Sequence, residues 1–503
     1  MSFCPLPPDP TRLSIELNLL REKITEEAEA ITAAWAESAE MRPAFRPSAE
    51  NLANYLALRH ADLSTIQPDL AALGLSTLGR AEPHARASLD AVMATLSRLS
   101  GRVSEEYPDP KAFTEGPARL AARRDTLFGT GASGAPRSRI LLTLPTEAAT
   151  DPDLIPGMIR AGADAMRINC AHDGPEVWQA MIDRIRAAGD EVGRYVPVLM
   201  DLAGPKLRTG PVAGPVHGPN KQRVFVGDRL DIRRDAPGPK VKHVATTLSH
   251  PDLIDRLTPG MQVFIDDGKI GAEVIEITKR GAKLRVIRAG PEGVKVKPEK
   301  GFNLPAVEID IPALTEEDRV ALDFVVGRAD MIGYSFVQTP EDIQLLISEV
   351  DKRLAPDSAR PALVLKIETG LAVRNLPRLI VQSGALTETA VMIARGDLAV
   401  EIGLERMSEI QEEVLWLCEA AHTPVVWATQ VLEGLMKQGL ATRAETTDAA
   451  MAQRADCVML NKGPYVLDTI RFLSRILGRM DRHMSKKSAR LAPLRSWRGT
   501  LSL

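Results

Sequence analysis

Residues 363–368 read Leu-Val-Leu-Lys-Ile-Glu, a short apolar run that closes on a lysine and a glutamate two positions apart. A run this brief and this apolar reads as a strand buried on both faces, the kind a parallel sheet requires. Seven more runs of the same kind lie at 139–143, 165–169, 196–201, 331–335, 390–393, 424–428 and 457–460. Most are followed by an amphipathic helical stretch. Over 405–421, for example, Met407, Ile410, Val414, Leu417, Cys418 and Ala421 share one face. Eight strand–helix units across roughly 250 residues, with one insertion set aside, predict an α/β fold: a (β/α)8 TIM barrel.

The insertion falls between the third and fourth runs, at residues 206–304, and its texture differs. Short strand-like runs at 223–226, 230–232, 262–265, 272–277 and 283–287 are separated by turn signals such as Gly227-Asp228 and Asp267-Gly268. A small β-barrel domain is expected, rising from the mouth of the larger barrel as a lid. The barrel itself is then split into 135–205 and 305–483. Residues 1–134 read as a helical region, with Leu20, Ile24, Ala28, Ile31 and Trp35, and later Leu89, Val92, Leu96 and Leu99, at helical spacing. The glycine-rich loop 129–136 has no strand before it and no Lys-Ser/Thr after it, so it reads as a linker rather than a phosphate loop. The tail 484–503 carries Lys486, Lys487, Arg490, Arg495 and Arg498 and no acidic residue. Such an end is expected to be solvated or packed on its own domain.

The chain has 503 residues, 44% of them apolar and 26% charged, with a net charge of −3. These values place it among globular proteins and give no global attraction to nucleic acid or a membrane surface. Cys4, Cys170, Cys418 and Cys457 are scattered without a CxxC pair, which excludes a disulfide framework and a cysteine zinc site and fits a reducing cytoplasm. The opening MSFCPLPPDP lacks the order of a secretory signal, and no apolar run approaches the roughly 18 residues of a membrane span. A soluble, cytoplasmic protein is expected.

In this architecture functional side chains come from the C-terminal ends of the strands. Those ends are polar here: Arg167-Ile-Asn169 followed by His172, then Asp201, Ser335, Lys366-Ile-Glu368, Ala394-Arg-Gly-Asp397, Thr429-Gln430 and Asn461-Lys462. Residues two apart share a strand face, so Lys366 with Glu368, and Arg167 with Asn169, project together into the mouth. A lysine beside one carboxylate can be a plain ion pair; a second carboxylate, Asp397, from the neighbouring strand end asks for more. Two carboxylates with open positions suit Mg²⁺, with Mn²⁺ as its substitute. Clustered Lys and Arg beside such an ion serve an anionic substrate and spread charge during phosphoryl transfer. Beyond Arg395, a helical turn at Gly396-Asp397 offers free N–H groups to a carboxylate or phosphate.

The segments MRINCAH (166–172), DLAGPKLRTG (201–210), FIDDGKIG (264–271), KGFNLPAVEIDIPALTEEDR (300–319), LKIETG (365–370), IARGDLAVEIG (393–403), VVWATQVLEGL (425–435) and ATRAETTDAA (441–450) resemble, in order, the signature stretches of the pyruvate kinase family. The resemblance spans about two thirds of the chain. It implies a barrel with a β-barrel lid, a site between them, Mg²⁺ dependence, and transfer of phosphate from phosphoenolpyruvate to ADP, giving pyruvate and ATP. By the same resemblance Arg167 grips the substrate phosphate, and Asn169, His172 and Arg208 lie on the nucleotide side. Lys366 stabilises the transferring phosphoryl group and the enolate, and Glu368 and Asp397 hold the metal. The backbone at Gly396 receives the substrate carboxylate, and Thr429 belongs to the group that protonates enolpyruvate. A homo-oligomer is expected.

The sequence also departs from the family. Its potassium site uses a serine and a threonine where this chain has Ala171 and Leu202, and Lys206 stands where glutamate is frequent. In the family that exchange accompanies potassium independence, and a fixed ammonium can replace the ion's charge; Lys206 is therefore a catalytic candidate and K⁺ is not expected to be required. Asn461-Lys462-Gly463-Pro464 replaces the usual Ser-Gly-Glu-Thr, with Lys462 either touching a phosphate or capping a helix, and Ala203 replaces a common lysine. The family's C-terminal domain is expected to be absent after about His483, its packing or oligomer contacts passing to the N-terminal helices. Two other readings stand beside the kinase: a Mg²⁺-dependent carbon–carbon lyase acting through a pyruvate enolate, and a non-catalytic metabolite sensor. The lid and the Arg167–His172 cluster speak against the first; the presence of Lys366, Glu368 and Asp397 speaks against the second.

Overall fold

Eight parallel strands close into a barrel: Arg139–Thr143, Ala165–Asn169, Val198–Asp201, Met331–Tyr334, Ala362–Ile367, Thr389–Ala394, Val425–Ala428 and Cys457–Leu460. The computed structural model describes residues 8–490 except 39, 103–104, 216–221, 306 and 308–310. What the sequence suggests for Cys4, for the first seven residues, for part of the segment 300–319 and for Arg495 and Arg498 therefore falls outside the described residues. Each strand pairs with its neighbour in sequence, and the first pairs with the eighth, with Leu141 opposite Met459. The eight predicted runs lie at their places, with ends shifted by no more than about two residues, as is usual for element boundaries.

Side-chain alternation divides the core in two. Leu363, Leu365 and Ile367 point outward to the helices. Their alternates Ala362 and Val364 join Leu141, Leu199, Met331, Met392, Val426 and Met459 in the lumen. The lumen is closed at the N-terminal ends of the strands by Leu127 and Phe128, the last residues of the helix Ala112–Phe128. Arg139, at the start of the first strand, donates from Nε to Gly129 O at 2.9 Å and locks that plug in place.

The N-terminal region is helical, as expected, with its longest helix at Pro10–Ser38. In the helix Ala85–Leu99 the predicted apolar face is buried at Leu89, Val92 and Leu96, but Leu99, the final residue, is exposed. The region docks on the C-terminal ends of two barrel helices, Gly370–Leu386 and Leu404–Ala420, whose last carbonyls lack helical partners. Arg42 reaches Gly384 O at 3.0 Å and Thr387 O at 2.8 Å. Arg123, buried, donates to His422 O at 2.9 Å, Ala44 O at 3.0 Å and Ser48 Oγ at 3.0 Å. The His422 ring bridges Ser48 Oγ and Pro83 O, each at 3.0 Å. Residues 484–490 of the basic tail turn back as a short hairpin: Lys486 pairs with Asp456 at 3.0 Å and Lys487 with Glu82.

The insertion is a six-stranded sheet in the order Phe302–Asn303, Gln262–Ile265, Ile270–Thr278, Gly281–Arg288, Arg229–Arg233, Val244–Thr247, with a small ribbon of Arg223–Val224 and Val294–Lys295. It is a half-barrel. Single bridges Arg208–Gly301, Thr209–Leu248 and Ala213–Ala245 tie its two edges through the segment 208–213. Three strands escaped the sequence reading: Val244–Thr247, Val294–Lys295 and Phe302–Asn303. Two of these have only two residues, too few to show alternation.

A buried histidine and a partly buried glutamate at the N-terminal joint titrate in opposite senses. Burial lowers the His422 pKa to about 4, so stability is present above the unfolded value of about 6.5 and is lost as pH falls towards 4. Burial raises Glu419 to about 7, so its contribution grows over much the same fall in pH. The two nearly offset in the wild type. Glu419→Gln removes only the second, and that variant is expected to lose roughly 2–3 kcal/mol relative to wild type between pH 7 and pH 4, measured by urea unfolding.

Candidate active site

At the C-terminal end of the barrel the inward-facing column of four strands turns from apolar to polar. Thr143 follows Leu141, Arg167 follows Ala165, Asp201 follows Leu199, and Lys366 follows Val364. Asp201 is completely buried and lies between two cations. Its Oδ2 accepts from Arg167 Nε at 2.8 Å and Nη2 at 2.5 Å, while Lys366 Nζ stands 3.4 Å from Oδ1. Gly333, opposite Asp201 in register, makes room for the carboxylate: a Cβ there would stand 2.5 Å from Oδ1. Lys366 also donates to Ser335 Oγ at 2.6 Å and lies 3.4 Å from Glu368 Oε1. Ser335 is oriented in turn by Leu202 O at 2.7 Å.

Burial opposes every charge in this cluster, and the partners decide which survive. Against burial, Asp201 and Glu368 hold the Lys366 ammonium above its ordinary pKa. Against burial, Lys366 and Arg167 hold Asp201 below its own. Glu368 goes the other way: burial raises its pKa, Lys366 offsets part of that, and the nearby Asp397 adds to the rise. Its Oε2 accepts the Phe336 N–H at 2.6 Å. A buried carboxylate, 3% exposed and destabilised by a second carboxylate, is a donor set that a divalent cation would relieve. In that respect Glu368 and Asp397 fit Mg²⁺.

The remaining predicted residues surround this centre. Lys206, where the chain leaves the barrel for the lid, places Nζ 2.7 Å from Asp397 Oδ1. Gly396 N donates to Thr429 Oγ1 at 2.8 Å. Asn169 ends the second strand and its Oδ1 accepts from Ala171 N at 3.2 Å. His172 is exposed on the following loop, and Arg208 stands on the lid with Nη1 3.1 Å from Glu299 O. Lys462 is exposed beyond the eighth strand. A cavity of about 450 Å³ between lid and barrel is lined by Lys206, Asn303, Phe336, Thr369 and Glu401, among others.

The profile "Pyruvate kinase, barrel domain" matches residues 135–467. The chain belongs to the pyruvate kinase family. It is 34% identical over 353 residues to the pyruvate kinase of Methylorubrum extorquens, a match covering 69% of each chain. It is 33% identical over 349 residues to that of Mycobacterium tuberculosis, covering 68% of this chain and 69% of the relative. With pyruvate kinase 1 of Trypanosoma brucei brucei it shares 31% identity over 336 residues, covering 64% of this chain and 63% of the relative. Membership makes the protein a phosphotransferase.

Within this pyruvate kinase family member, several groups beyond the predicted site residues shape the mouth of the barrel. Asp201 and Ser335 were visible as polar strand ends, yet the structure puts them at the centre of the charge cluster; inward parity with Leu199 and Met331 was the available signal. The pairing of Arg395, itself part of a polar strand end, with Asp448 had none, because the two are far apart in the chain. Arg395 donates to Ala428 O at 2.9 Å, Thr429 O at 2.8 Å and Asp448 Oδ2 at 2.9 Å, and stacks over Trp427. Those bonds hold Thr429 at φ +66, a costly conformation for a β-branched residue. Glu401, raised to about 6 by burial, accepts from Asn303 at 3.1 Å.

Replacing Asp201 leaves two buried cations facing each other. Asp201→Asn is expected to destabilise the fold by about 3 kcal/mol or more and to lower the Lys366 pKa, checked by chemical unfolding and by the pH dependence of lysine modification.

Proposed function

We propose that the protein transfers the phosphoryl group of phosphoenolpyruvate to ADP, yielding pyruvate and ATP, with Mg²⁺ as the metal. The observation that carries this reading is the buried Lys366 ammonium, kept charged by Asp201 and Glu368 and aimed by Ser335 at the barrel's mouth. Lys366 donates to the phosphoryl oxygens and then to the enolate oxygen as the bridging P–O bond breaks and a β-phosphate oxygen of ADP bonds to phosphorus. Arg167, held rigid by Asp201, presents its guanidinium to the same phosphate. Glu368 and Asp397 hold the divalent cation, which supplies positive charge to substrate oxygens when bound. Asn169, His172 and Arg208 face the nucleotide, Arg208 from the lid.

The Gly396 N–H, now taken by the Thr429 hydroxyl, receives the substrate carboxylate. Thr429 then lies beside the enolate and serves the route by which its methylene carbon gains a proton. That ketonisation makes transfer to ADP strongly downhill. Lys206 supplies a positive charge that takes the place of a bound potassium ion. We further propose a cytoplasmic homo-oligomer. Among the described residues no helix is long and apolar enough to cross a membrane, and Cys170, Cys418 and Cys457 are unpaired.

Protein mixed with Mg²⁺, phosphoenolpyruvate and ADP is expected to form ATP and pyruvate in equal amounts. Lys366→Met should lower kcat by at least about 10²-fold, and because it leaves Asp201 and Glu368 without their shared cation it should also lower the unfolding midpoint; wild-type turnover in the folded variant would sink the proposal. Replacing K⁺ by tetramethylammonium is expected to leave the wild-type rate within about twofold, whereas a manyfold drop would remove Lys206 from the role given to it.

A further inference from the structure

The lid and the metal-facing carboxylate share one lysine. Lys206 Nζ lies 2.7 Å from Asp397 Oδ1 and 3.8 Å from Asp267 Oδ1, the latter in the Asp266-Asp267-Gly268 turn of the lid. The path of this side chain is kept open by Gly301, on the segment that returns from the lid to the barrel. A Cβ at Gly301 would stand 2.8 Å from Lys206 Cε and 3.4 Å from Nζ. Gly301 does not have a left-handed φ, so a side chain there would meet the movable end of Lys206 rather than a backbone constraint. One helical turn beyond Asp397, Glu401 Oε1 accepts from Asn303 Nδ2 at 3.1 Å, and Asn303 lies two residues after Gly301. Both segments that join lid to barrel are thus tied to one face of one helix, Arg395–Ile402, at positions i and i+4.

We propose that Lys206 is an internal counter-cation of Asp397 that a divalent cation displaces, so that metal binding at this carboxylate loosens the lid's attachment and frees an ammonium for the anionic substrate. The proposal rests on Glu368 and Asp397 being the metal ligands. An ammonium at 2.7 Å neutralises Asp397 while no cation is bound, and a divalent ion arriving at the same carboxylate repels it. The lysine's flexible stem lets the head group swing away at small cost, where the planar fork of an arginine would be held more rigidly. Because Lys206 also neighbours Asp267, release from Asp397 alters a contact that spans lid and barrel. The same residue then guards the carboxylate in the empty site and serves the substrate's charge in the filled one.

The test is Mn²⁺ binding to the protein without phosphoenolpyruvate or ADP, followed by the electron paramagnetic resonance of free Mn²⁺, together with amide hydrogen exchange of the lid. Lys206→Met, which removes the competing charge, is expected to tighten Mn²⁺ binding roughly fivefold, the scale of a partly exposed ion pair. In wild type, Mn²⁺ should speed exchange in segments 206–209 and 301–303, and Lys206→Met should show that faster exchange without metal. Mn²⁺ affinity that is unchanged or weaker in Lys206→Met, or exchange that ignores both metal and variant, overturns the proposal. Glu368→Gln separates the two levels of the argument. Mn²⁺ uptake that this variant fails to weaken sinks the metal assignment and the lysine's role with it; uptake that it weakens, while Lys206→Met leaves it unchanged, sinks the lysine's role alone.

Discussion

A single carboxylate with no access to water organises the mouth of this barrel. Asp201 faces Arg167 on one side and Lys366 on the other, and without it two cations would be buried within reach of each other. Desolvating three charges costs several kcal/mol, offset here by the short Arg167 contacts to Asp201 Oδ2, while Oδ1 faces Lys366 at 3.4 Å without a hydrogen bond. Arg167 also meets Thr143, and Lys366 meets Ser335. Gly333 is part of the same constraint, since any larger residue would take the space that the carboxylate occupies. The result is a lysine that stays charged although buried, which is the condition for stabilising negative charge in transfer chemistry.

The opposite end of the barrel is given over to stability. Phe128 and Leu127 fill the lumen from below, and the helices before them clamp the outer face through Arg42, Arg123 and His422. These contacts satisfy carbonyls at helix ends that would otherwise be left without partners in a dry interface. The division of labour follows the general logic of the fold, in which strand C-termini carry chemistry and N-termini carry packing. Here the packing end is closed by a segment that precedes the first strand.

How much of this could be read in the chain depended on the range of the interaction. The strands were legible because burial on both faces compresses them into short apolar runs, and Lys366 and Glu368 were legible because strand parity places them on one side. The charge cluster was partly legible, since parity shows which residues face inward but not which of them touch. The pairing of Arg395 with Asp448 was invisible, and so was the bridge from Ser48 through His422 to Pro83, because such pairs are brought together only by closure of the barrel and docking of the N-terminal helices. Phe302–Asn303, Val294–Lys295 and the closing bridges of the lid were lost for a different reason: two-residue strands and single bridges have no period to detect.

Strain shows where the site is prepared in advance. Phe336 and Thr429 are both non-glycine residues with left-handed backbones, at φ +56 and +66, and each follows the end of a barrel strand. Such residues cost on the order of 1–3 kcal/mol apiece and persist only where their surroundings hold them. In the first case the conformation turns an N–H onto Glu368; in the second it turns a hydroxyl onto the Gly396 N–H. The bonds that hold Thr429 come from Arg395, itself fixed by Asp448 and the Trp427 ring. Strain in the backbone is thus balanced by an ion pair behind it, and the donors and acceptors of the mouth stand oriented before any substrate arrives. Reorganisation that would otherwise burden the chemical step has already been met in folding.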